Sequence, residues 1–179
     1  MERTLVLVKP DGVKRKIIGE IISRFERCGL EFERMVLVQA EPDLLWQHYP
    51  SDEDWMTKVG GKTLKTYRAY GLDAAQEVGT DDPLEIGKMV KKWLVDFMTS
   101  GPVVAMVLRG NHAVDVVRKI CGDTLPLFAA PGTIRGDYAV DSPDLANAEH
   151  RAVANLVHAS GTVEEAVYEI GLWFPDLAE

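Results

Sequence analysis

The sequence predicts an α+β protein in which a four-stranded antiparallel sheet is covered by helices. Strand-like and helix-like segments alternate along its 179 residues, and the last part of the chain is mainly helical. No internal repeat and no linker divides the chain, so we expect one domain over residues 1–179. A ferredoxin-like βαββαβ core is one of the few arrangements that suit this order.

The first part of the chain predicts two strands and two helices. The apolar run Leu5–Val8 predicts a buried strand, which ends where the chain turns at Pro10–Gly12. Apolar residues at helical spacing from Ile18 to Phe25 predict a helix that Gly29 ends. The elements expected here are a strand over residues 3–9, that helix, a strand over 30–40 and a short helix over 42–49.

The remainder of the chain predicts two more strands and four helices. Residues 50–82 are rich in charge and glycine, and we assign no element to them. Residues 122–136 form a loop, and Thr162 with Glu165 makes the capping-box pattern of a helix N-terminus. The elements expected here are a helix over 85–98, a strand over 102–108, a helix over 112–120, a fourth strand over 138–140 and helices over 146–157 and 163–174.

The chain is acidic, with 20 Lys and Arg residues against 28 Asp and Glu residues and a net charge of −8. Residues 137–179 carry this whole net charge, so cations of residues 1–136 must hold any anionic ligand. We expect neither nucleic acid nor membrane as a partner, because an acidic surface does not attract polyanions in general. The two cysteines, Cys28 and Cys121, and a start without an apolar leader favour a cytoplasmic protein.

Two common kinds of site lack their motifs. Gly87–Lys88 lies before a helix as in a phosphate-binding loop, but Asp82 stands at the first glycine position and Met89 at the Ser/Thr position. We therefore expect Lys88 to be a solvated helix residue. The four histidines and two cysteines lack the spacing of a zinc site, so we expect no metal held by the protein alone.

Three side chains lie where α/β proteins commonly bind ligands. Lys9 ends the first strand, and Arg135 stands in a stiff loop just before the expected fourth strand. Such strand ends are frequent binding sites. His158 ends an expected helix, and the small residues 159–161 that follow it leave room for a ligand beside the imidazole.

A set of short segments, spread over the chain in a fixed order, carries further information. The segments are Val8–Val13, Gly19–Ile22, Phe25–Glu26, Gln47–Tyr49, Ser100–Val107, Pro131–Asp137, Asn155–Ser160 and Glu169–Phe174. In this order they resemble the nucleoside diphosphate kinases. The resemblance spans the chain except for residues 50–82 and 141–151.

This resemblance implies a reversible ping-pong transfer of the terminal phosphoryl group from a nucleoside triphosphate such as ATP to a nucleoside diphosphate. His158 would be the nucleophile and would carry the group as phosphohistidine. Glu169 would orient the imidazole, with Ser160 and Tyr49 beside it. The residues implied at the nucleotide are Lys9, Arg118, Thr124 and Arg135 at the phosphates, Asn155 at the sugar and Leu94 at the base.

The resemblance also implies a cofactor and an assembly. Mg²⁺ would come with the nucleotide phosphates, with few or no direct protein ligands, and would help to stabilise the charge on the transferred group. The family implies a homo-oligomer, with a hexamer favoured over a tetramer.

Several positions differ from the family pattern. Ala159 and Gly161 stand where Gly and Asp are usual, and Leu125 replaces an Asn. The two unmatched stretches would be insertions, the 50–82 segment and the 141–151 segment. We expect the two segments to pack against each other or against the nucleotide entrance. The aromatic residue that stacks on the base stays open among Trp55, Tyr67, Tyr70 and Trp93.

Two alternative functions also stay open at this stage. One is a non-catalytic family member that binds ligands or assembles, although the retained candidate residues disfavour it. The other is a phosphotransferase that acts on a different acceptor, such as a protein histidine. A turnover assay with purified nucleotides separates these possibilities.

Overall fold

The sheet lies at the centre of the fold. The structure, a computed structural model, describes residues 1–178. Its four strands lie in the order β2-β3-β1-β4, and every neighbouring pair is antiparallel. The predicted fold class is confirmed. The strands are β1 (Glu2–Val8), β2 (Glu31–Val38), β3 (Val103–Gly110) and β4 (Val157–Ala159).

Helices cover the sheet and extend one end of it. Short 3₁₀ turns follow α7 and α10, at Pro126–Phe128 and Pro175–Leu177. The α-helices are α1 (Pro10–Lys14), α2 (Ile18–Glu26), α3 (Pro42–His48), α4 (Glu53–Ala69), α5 (Ala74–Val78), α6 (Pro83–Thr99), α7 (Ala113–Cys121), α8 (Ile134–Tyr138), α9 (Pro143–Ala148) and α10 (Val163–Trp173).

The two faces of the sheet pack against different helices, because successive side chains of a strand point to opposite faces. Val6 and Val8 of β1 belong to the core cluster that includes residues of α2 and α7. Leu5 and Leu7 belong to the cluster formed with α3, α6 and α10. Both faces of β1 are therefore buried, which explains its unbroken apolar run.

The prediction of the fourth strand is wrong. Tyr138 is the last residue of α8, and Val140 lies almost fully exposed outside the sheet. The fourth strand is β4, which pairs with β1 through Val157–Ala159. Three residues are too few to show an alternating pattern, so pairing with β1 rather than local sequence defines this strand.

The prediction of a helix over 146–157 is also wrong. It ends at Ala148, because His150 adopts the left-handed conformation with φ 50°. His158 consequently lies on a strand and not at the end of a helix. Arg135 lies on α8 and not in a loop before a strand, and the expected turn at Pro10 begins the short helix α1.

The 50–82 segment forms α4 and α5, which the sequence analysis left unassigned. Asp52, Asp73 and Asp82 each accept a hydrogen bond from a backbone N–H at the start of α4, α5 and α6. These residues cap the helices, because the first backbone N–H groups of a helix have no partner within it. The polar composition of the segment is that of helices covered on one side only.

Two glycines bring α4 and α6 into backbone contact. A Cβ atom on Gly60 would lie 1.9 Å from the carbonyl oxygen of Pro83, and one on Gly87 would lie 2.0 Å from that of Met56. No other residue type fits either position without moving a helix. The 50–82 segment is therefore fixed to the helix that leads into β3.

The 50–82 segment and the 141–151 segment pack against each other, which is one of the two expected arrangements. Tyr67 of α4 is buried, and its hydroxyl donates to the carbonyl oxygen of Asn147 on α9 at 3.3 Å. Within residues 1–178, no helix combines the length and the apolar character needed to cross a membrane.

Replacing Gly60 by Ala tests the contact between α4 and α6. We expect Gly60→Ala to lower the free energy of unfolding by about 2 kcal/mol, because the methyl group overlaps the backbone of Pro83 and Gly87. Chemical denaturation of the purified protein measures this change.

Gly61 is the matched control. It lies next to Gly60 in α4, and a Cβ atom there meets nothing within 4 Å. Gly61→Ala should stabilise the protein by about 0.5–1 kcal/mol, since Ala favours a helix over Gly. Equal effects of the two substitutions would contradict the close approach of the helices.

Candidate active site

A cavity of about 810 Å³ opens beside the ends of β1 and β4. Elements from distant parts of the chain form its walls: α4, α6, the loop after α7, α8 and the stretch between α9 and β4. Most of the predicted site residues line this one cavity. They are Lys9, Tyr49, Leu94, Arg118, Thr124, Arg135, Asn155 and His158.

His158 lies at the centre of β4, opposite Leu7 of β1. Its Nε2 atom is 2.8 Å from Oε1 of Glu169, which α10 places behind the strand. Because an ionised carboxylate only accepts hydrogen bonds, Nε2 carries the proton and Nδ1 keeps a free electron pair. His158 is thereby held with Nε2 engaged by the carboxylate and Nδ1 facing away from it.

The Glu169 carboxylate is buried and fully engaged. Its Oε2 atom accepts a hydrogen bond from the Ser160 hydroxyl at 2.6 Å, and that hydroxyl accepts one from the backbone N–H of Leu5 at 3.2 Å. Burial raises the pKa of Glu169, but the hydrogen bonds and charge of the neighbouring groups, His158 above all, outweigh burial and lower the net pKa. Glu169 and Ser160 therefore lie behind His158, whereas the predicted nucleotide residues lie in front of it.

His48 is a member of this cluster that the sequence analysis missed. Its ring lies edge-on to the His158 ring, with centroids 4.5 Å apart, and its Nδ1 accepts a hydrogen bond from Trp173 Nε1 at 3.3 Å. Nδ1 is also 3.6 Å from the Glu169 carboxylate. The available signal was the Gln47–Tyr49 match, in which His48 directly precedes the predicted residue Tyr49.

Burial shifts the pKa values of His48 and Tyr49, the two neighbours of His158. The pKa of His48 falls to about 3, because the ring is buried and because His158 and Lys9 add positive charge nearby. Burial, and to a smaller extent the Glu169 charge, raises the pKa of the Tyr49 phenol. The Tyr49 hydroxyl has no hydrogen-bond partner among the described residues. Both groups are therefore neutral near pH 7.

Lys9 is a buried cation of the cavity. Its ammonium donates to Oδ1 of Asn155 at 2.7 Å. Its pKa falls to about 8, first because the group is buried and then because Arg135 is close. Asn155 also donates from Nδ2 to the carbonyl oxygen of Thr124 at 2.8 Å, so one amide connects Lys9 to the opposite loop.

Three arginines line the cavity, and two of them, Arg118 and Arg135, differ in their contacts. Arg135 is buried and donates to the carbonyl oxygens of Gly122, Asn155 and Val157 at 2.7 to 3.2 Å. It thus fastens α8 to the loop after α7 and to β4. Arg118 projects from α7, and its side chain makes no ion pair or hydrogen bond within residues 1–178. Arg118 therefore keeps its full set of donors open to a ligand.

The four candidate aromatics occupy different places. Trp93 of α6 lines the main cavity next to Leu94. Trp55 lines a second cavity of about 620 Å³, which also reaches His158 and Glu169. Tyr67 of α4 is buried, and Tyr70 is exposed outside both cavities.

Gly161 lacks the carboxylate that the family pattern carries at this position, yet a carboxylate lies next to it. Glu165, one turn into α10, accepts a hydrogen bond from the Gly161 N–H at 2.6 Å and lines the main cavity. Thr162 caps the same helix by accepting from the Glu165 N–H. The predicted capping pair is present in one direction. The backbone N–H of Glu165 donates to the Thr162 hydroxyl, but the Glu165 carboxylate accepts from the N–H of Gly161 and not from that of Thr162.

Comparison with known proteins decides the family. The family model described as nucleoside diphosphate kinase matches residues 2–57 and 85–178. The chain belongs to the nucleoside diphosphate kinase family. Residues 58–84, which the family model leaves unmatched, include most of α4 and all of α5.

Named relatives cover nearly the full chain. A nucleoside diphosphate kinase of Pyrobaculum aerophilum is 53% identical over 97% of this chain and 95% of its own length, and one of Thermobifida fusca is 40% identical over 99% and 100%. The chain is a phosphotransferase that moves a phosphoryl group between nucleoside triphosphates and nucleoside diphosphates.

Solved structures give the same result. The crystal structure of a nucleoside diphosphate kinase from Pyrobaculum aerophilum superimposes with a TM-score of 0.96 at 50% identity, covering 99% of each chain. A transition-state mimic of the Borrelia burgdorferi enzyme with bound vanadate and ADP matches with a TM-score of 0.76 at 33% identity, over 97% of this chain and 86% of that one.

His48 should make the kinase sensitive to mild acid. Unfolded His48 takes a proton below pH 6.5, whereas the folded ring stays neutral down to about pH 3. The unfolded chain therefore binds more protons in this range, and stability falls as the pH drops. Between pH 7 and pH 5 the loss from this one group is about 2 kcal/mol.

His48→Asn removes the titrating ring and keeps a side-chain oxygen near the position of Nδ1. We expect the variant to be less stable than the wild type at pH 7 but to lose about 2 kcal/mol less between pH 7 and pH 5. Urea unfolding at both pH values measures the two differences. Parallel pH profiles for the variant and the wild type would contradict a buried, neutral His48.

Proposed function

We propose that His158 is the nucleophile of a ping-pong reaction and carries the phosphoryl group between two nucleotides. The observation that carries this proposal is the hydrogen bond of Nε2 to Glu169, which leaves Nδ1 as the free nitrogen of a residue that lines the cavity. In the first half-reaction Nδ1 forms a bond to the terminal phosphorus of the triphosphate. The bond from phosphorus to the bridging oxygen breaks, and the diphosphate leaves with that electron pair.

The second half-reaction is the reverse with a different nucleotide. A terminal phosphate oxygen of the incoming diphosphate attacks phosphorus, and the bond to Nδ1 breaks and returns its electron pair to the imidazole. Positive charge develops on the ring whenever Nδ1 is bonded to phosphorus. The Glu169 carboxylate stabilises this charge through Nε2, and Ser160 keeps the carboxylate in place.

The remaining predicted residues have separate parts in this proposal. Lys9, Arg118, Thr124 and Arg135 hold the phosphates, with Arg118 supplying the free donors. Asn155 binds the sugar and holds Lys9, and Leu94 lies against the base. Tyr49, neutral and buried at the cavity wall, is an unpartnered hydroxyl beside the imidazole.

We propose that Mg²⁺ enters as part of the substrate, bound to the nucleotide phosphates. Mg²⁺ prefers oxygen ligands and keeps several waters. The three-residue cluster of metal-binding side chains found within residues 1–178 is His48, His158 and Glu169, which is rich in nitrogen and already hydrogen-bonded. The cationic cavity suits a metal that comes with its own phosphate ligands.

The chain forms, in this proposal, one domain over residues 1–179 with the 50–82 and 141–151 segments as insertions. It assembles as a homo-oligomer, with a hexamer favoured over a tetramer. The edge strand β2 supports assembly, because its apolar residues Met35, Val36 and Leu37 are 40 to 61% exposed. A cytoplasmic location is supported by the free thiols of Cys28 and Cys121.

Labelling with γ-labelled ATP tests the phosphohistidine. After a brief incubation with Mg²⁺, the wild type should carry an acid-labile, base-stable label that added GDP or CDP removes as labelled triphosphate. His158→Ala should carry none, because the nucleophile is missing. The measurement is the label retained after separate acid and base treatments.

Glu169→Gln provides the matched variant, since it keeps the shape of the side chain and removes the charge. It should take up label about 100-fold more slowly while still reaching full labelling. Label that persists in folded His158→Ala would place the nucleophile elsewhere. Wild-type protein that folds, binds ADP and takes no label would support a non-catalytic family member.

Lys9 gives the reaction a pH dependence on the alkaline side. Below pH 8 its ammonium is charged and attracts phosphate, and above pH 8 the free enzyme loses that charge. Bound phosphate keeps the proton on Lys9, so the Kd for ADP should rise about 10-fold between pH 7.5 and pH 9. Isothermal titration calorimetry measures the Kd at each pH.

Lys9→Arg is the control, because guanidinium stays charged throughout this range. Its Kd for ADP should change by less than 2-fold between pH 7.5 and pH 9. A wild-type Kd that is equally independent of pH would refute the contact between Lys9 and phosphate.

A further inference from the structure

The second cavity, of about 620 Å³, lies between the end of α3 and the first turns of α10. It shares Tyr49, His158 and Glu165 with the main cavity, so the two cavities meet beside the imidazole. Three aromatic side chains line the second cavity and not the main one: Trp46, Trp55 and Tyr168. The phosphoryl transfer described above makes no use of this aromatic space.

The two cavities differ in charge. Six lysines and arginines line the main cavity. None of the lysines and arginines within residues 1–178 lines the second cavity, whereas the carboxylates of Glu165 and Glu169 do. A phosphate group is therefore drawn to the main cavity and meets no cationic side chain of this kind in the second one. The second cavity suits a ligand of the opposite charge.

Glu165 supplies the accessible negative charge of the second cavity. The residue is exposed, and its Oε2 atom accepts a hydrogen bond from the Gly161 N–H at 2.6 Å. Its Oε1 atom receives no hydrogen bond from the described residues. Glu169 is buried, and both of its oxygens are bonded to His158 and Ser160. A cation in the cavity can therefore contact Glu165 directly, while Glu169 acts on it through its field.

Two of the aromatic rings are accessible from solvent. Trp46 is 43% exposed and Tyr168 is 57% exposed. The Tyr168 hydroxyl donates to the carbonyl oxygen of Gln47 at 3.0 Å, which holds the side chain between α10 and α3. The face of a tryptophan or tyrosine ring attracts a cation, and sites for quaternary ammonium ligands are commonly built from such rings beside a carboxylate.

Trp46 already contacts one cation of the protein itself. The Lys91 ammonium lies 5.0 Å from the centroid of the Trp46 ring. Lys91 donates to the Trp46 carbonyl oxygen at 3.0 Å and to the Ser51 hydroxyl. It is buried and does not line the second cavity. Lys91 therefore holds the indole from outside the cavity, and the rest of the indole is left to a ligand.

We propose that the second cavity is a binding site for a small organic cation of the quaternary ammonium class, whose charged group contacts the rings of Trp46 and Tyr168 and the Glu165 carboxylate. The volume of the cavity is that of a small-molecule site. A quaternary ammonium group has no N–H to satisfy, so aromatic faces and one carboxylate are sufficient partners for it. The inference does not rest on the proposed function, because it requires neither a nucleotide nor phosphoryl transfer.

A pair of ligands of equal shape tests the charge requirement. Choline and 3,3-dimethylbutan-1-ol differ in one atom, since a neutral carbon in the alcohol replaces the positive nitrogen of choline. The protein without nucleotide should bind choline with a Kd about 10-fold lower than that for the alcohol. A ligand-observed NMR titration, which follows the methyl resonance of each compound, measures both values.

Trp46→Leu tests the aromatic contact. Leucine keeps an apolar side chain and removes the π face. The Kd for choline should therefore rise about 10-fold, while the Kd for the neutral alcohol changes by less than about 2-fold. The thermal unfolding midpoint of the variant shows whether it is folded.

Glu165→Gln tests the carboxylate with a variant that keeps an oxygen for the Gly161 N–H. The Kd for choline should rise about 3-fold, because an accessible ion pair contributes modestly. Glu164→Gln is the matched control, since it removes the same charge from the adjacent residue, which lines neither cavity. It should leave the Kd for choline unchanged.

Each outcome either supports the site or overturns it. A preference for choline that Trp46→Leu and Glu165→Gln reduce, and that Glu164→Gln does not, supports it. Equal Kd values for choline and the alcohol overturn it, as does the absence of measurable choline binding. Equal effects of Glu165→Gln and Glu164→Gln overturn the contact with Glu165. Displacement of choline by Mg²⁺ as effective as that by tetramethylammonium overturns the aromatic site, because a general attraction to acidic groups would then explain the binding.

Discussion

The site depends on one buried carboxylate. Glu169 is 5% exposed, and a carboxylate in that environment is stable only when hydrogen-bond donors surround it. His158 of the short strand β4 supplies one donor, and Ser160, directly after that strand, supplies another. The Ser160 hydroxyl in turn receives the N–H of Leu5, so the carboxylate ties α10 to two strands. The orientation of the His158 ring, and with it the nitrogen that faces away from the carboxylate, follows from this arrangement.

The cations in front of His158 are held by a second network, which is built on backbone carbonyl groups. Arg135 donates to three of them, and Asn155 joins Lys9 to the loop after α7. These bonds fix the end of β4 and the loop opposite before any phosphate arrives. Arg118 remains open for the ligand, so the site combines a preorganised frame with a free charge. An acidic protein binds a polyanion in this way because the field that matters is local.

The 50–82 and 141–151 segments together form one wall of the main cavity. Asp52 and Asp73 cap α4 and α5, Ser142 caps α9, and a glycine crossing attaches α4 to α6. Trp93 and His150 meet where this wall reaches the cavity.

The sequence by itself determined the long, strongly patterned elements and the family. The buried run of β1, the periodic helices α2 and α10 and the ordered motifs around Lys9, Arg135 and His158 are local signals, since each depends on neighbouring residues. It also predicted that the 50–82 and 141–151 segments would meet.

Local signals did not locate β4, which has three residues and exists because β1 offers it backbone partners. Local signals also suggested that a helix continues over residues 149–157, where the left-handed backbone of His150 turns the chain. Only the tertiary structure decided that His48 contacts His158. It also decided that backbone carbonyl groups engage Arg135, whereas Arg118 has no such partner within residues 1–178. Of the four candidate aromatics, Trp93 alone lines the main cavity. These are contacts between residues far apart in the chain, and packing, not local pattern, creates them.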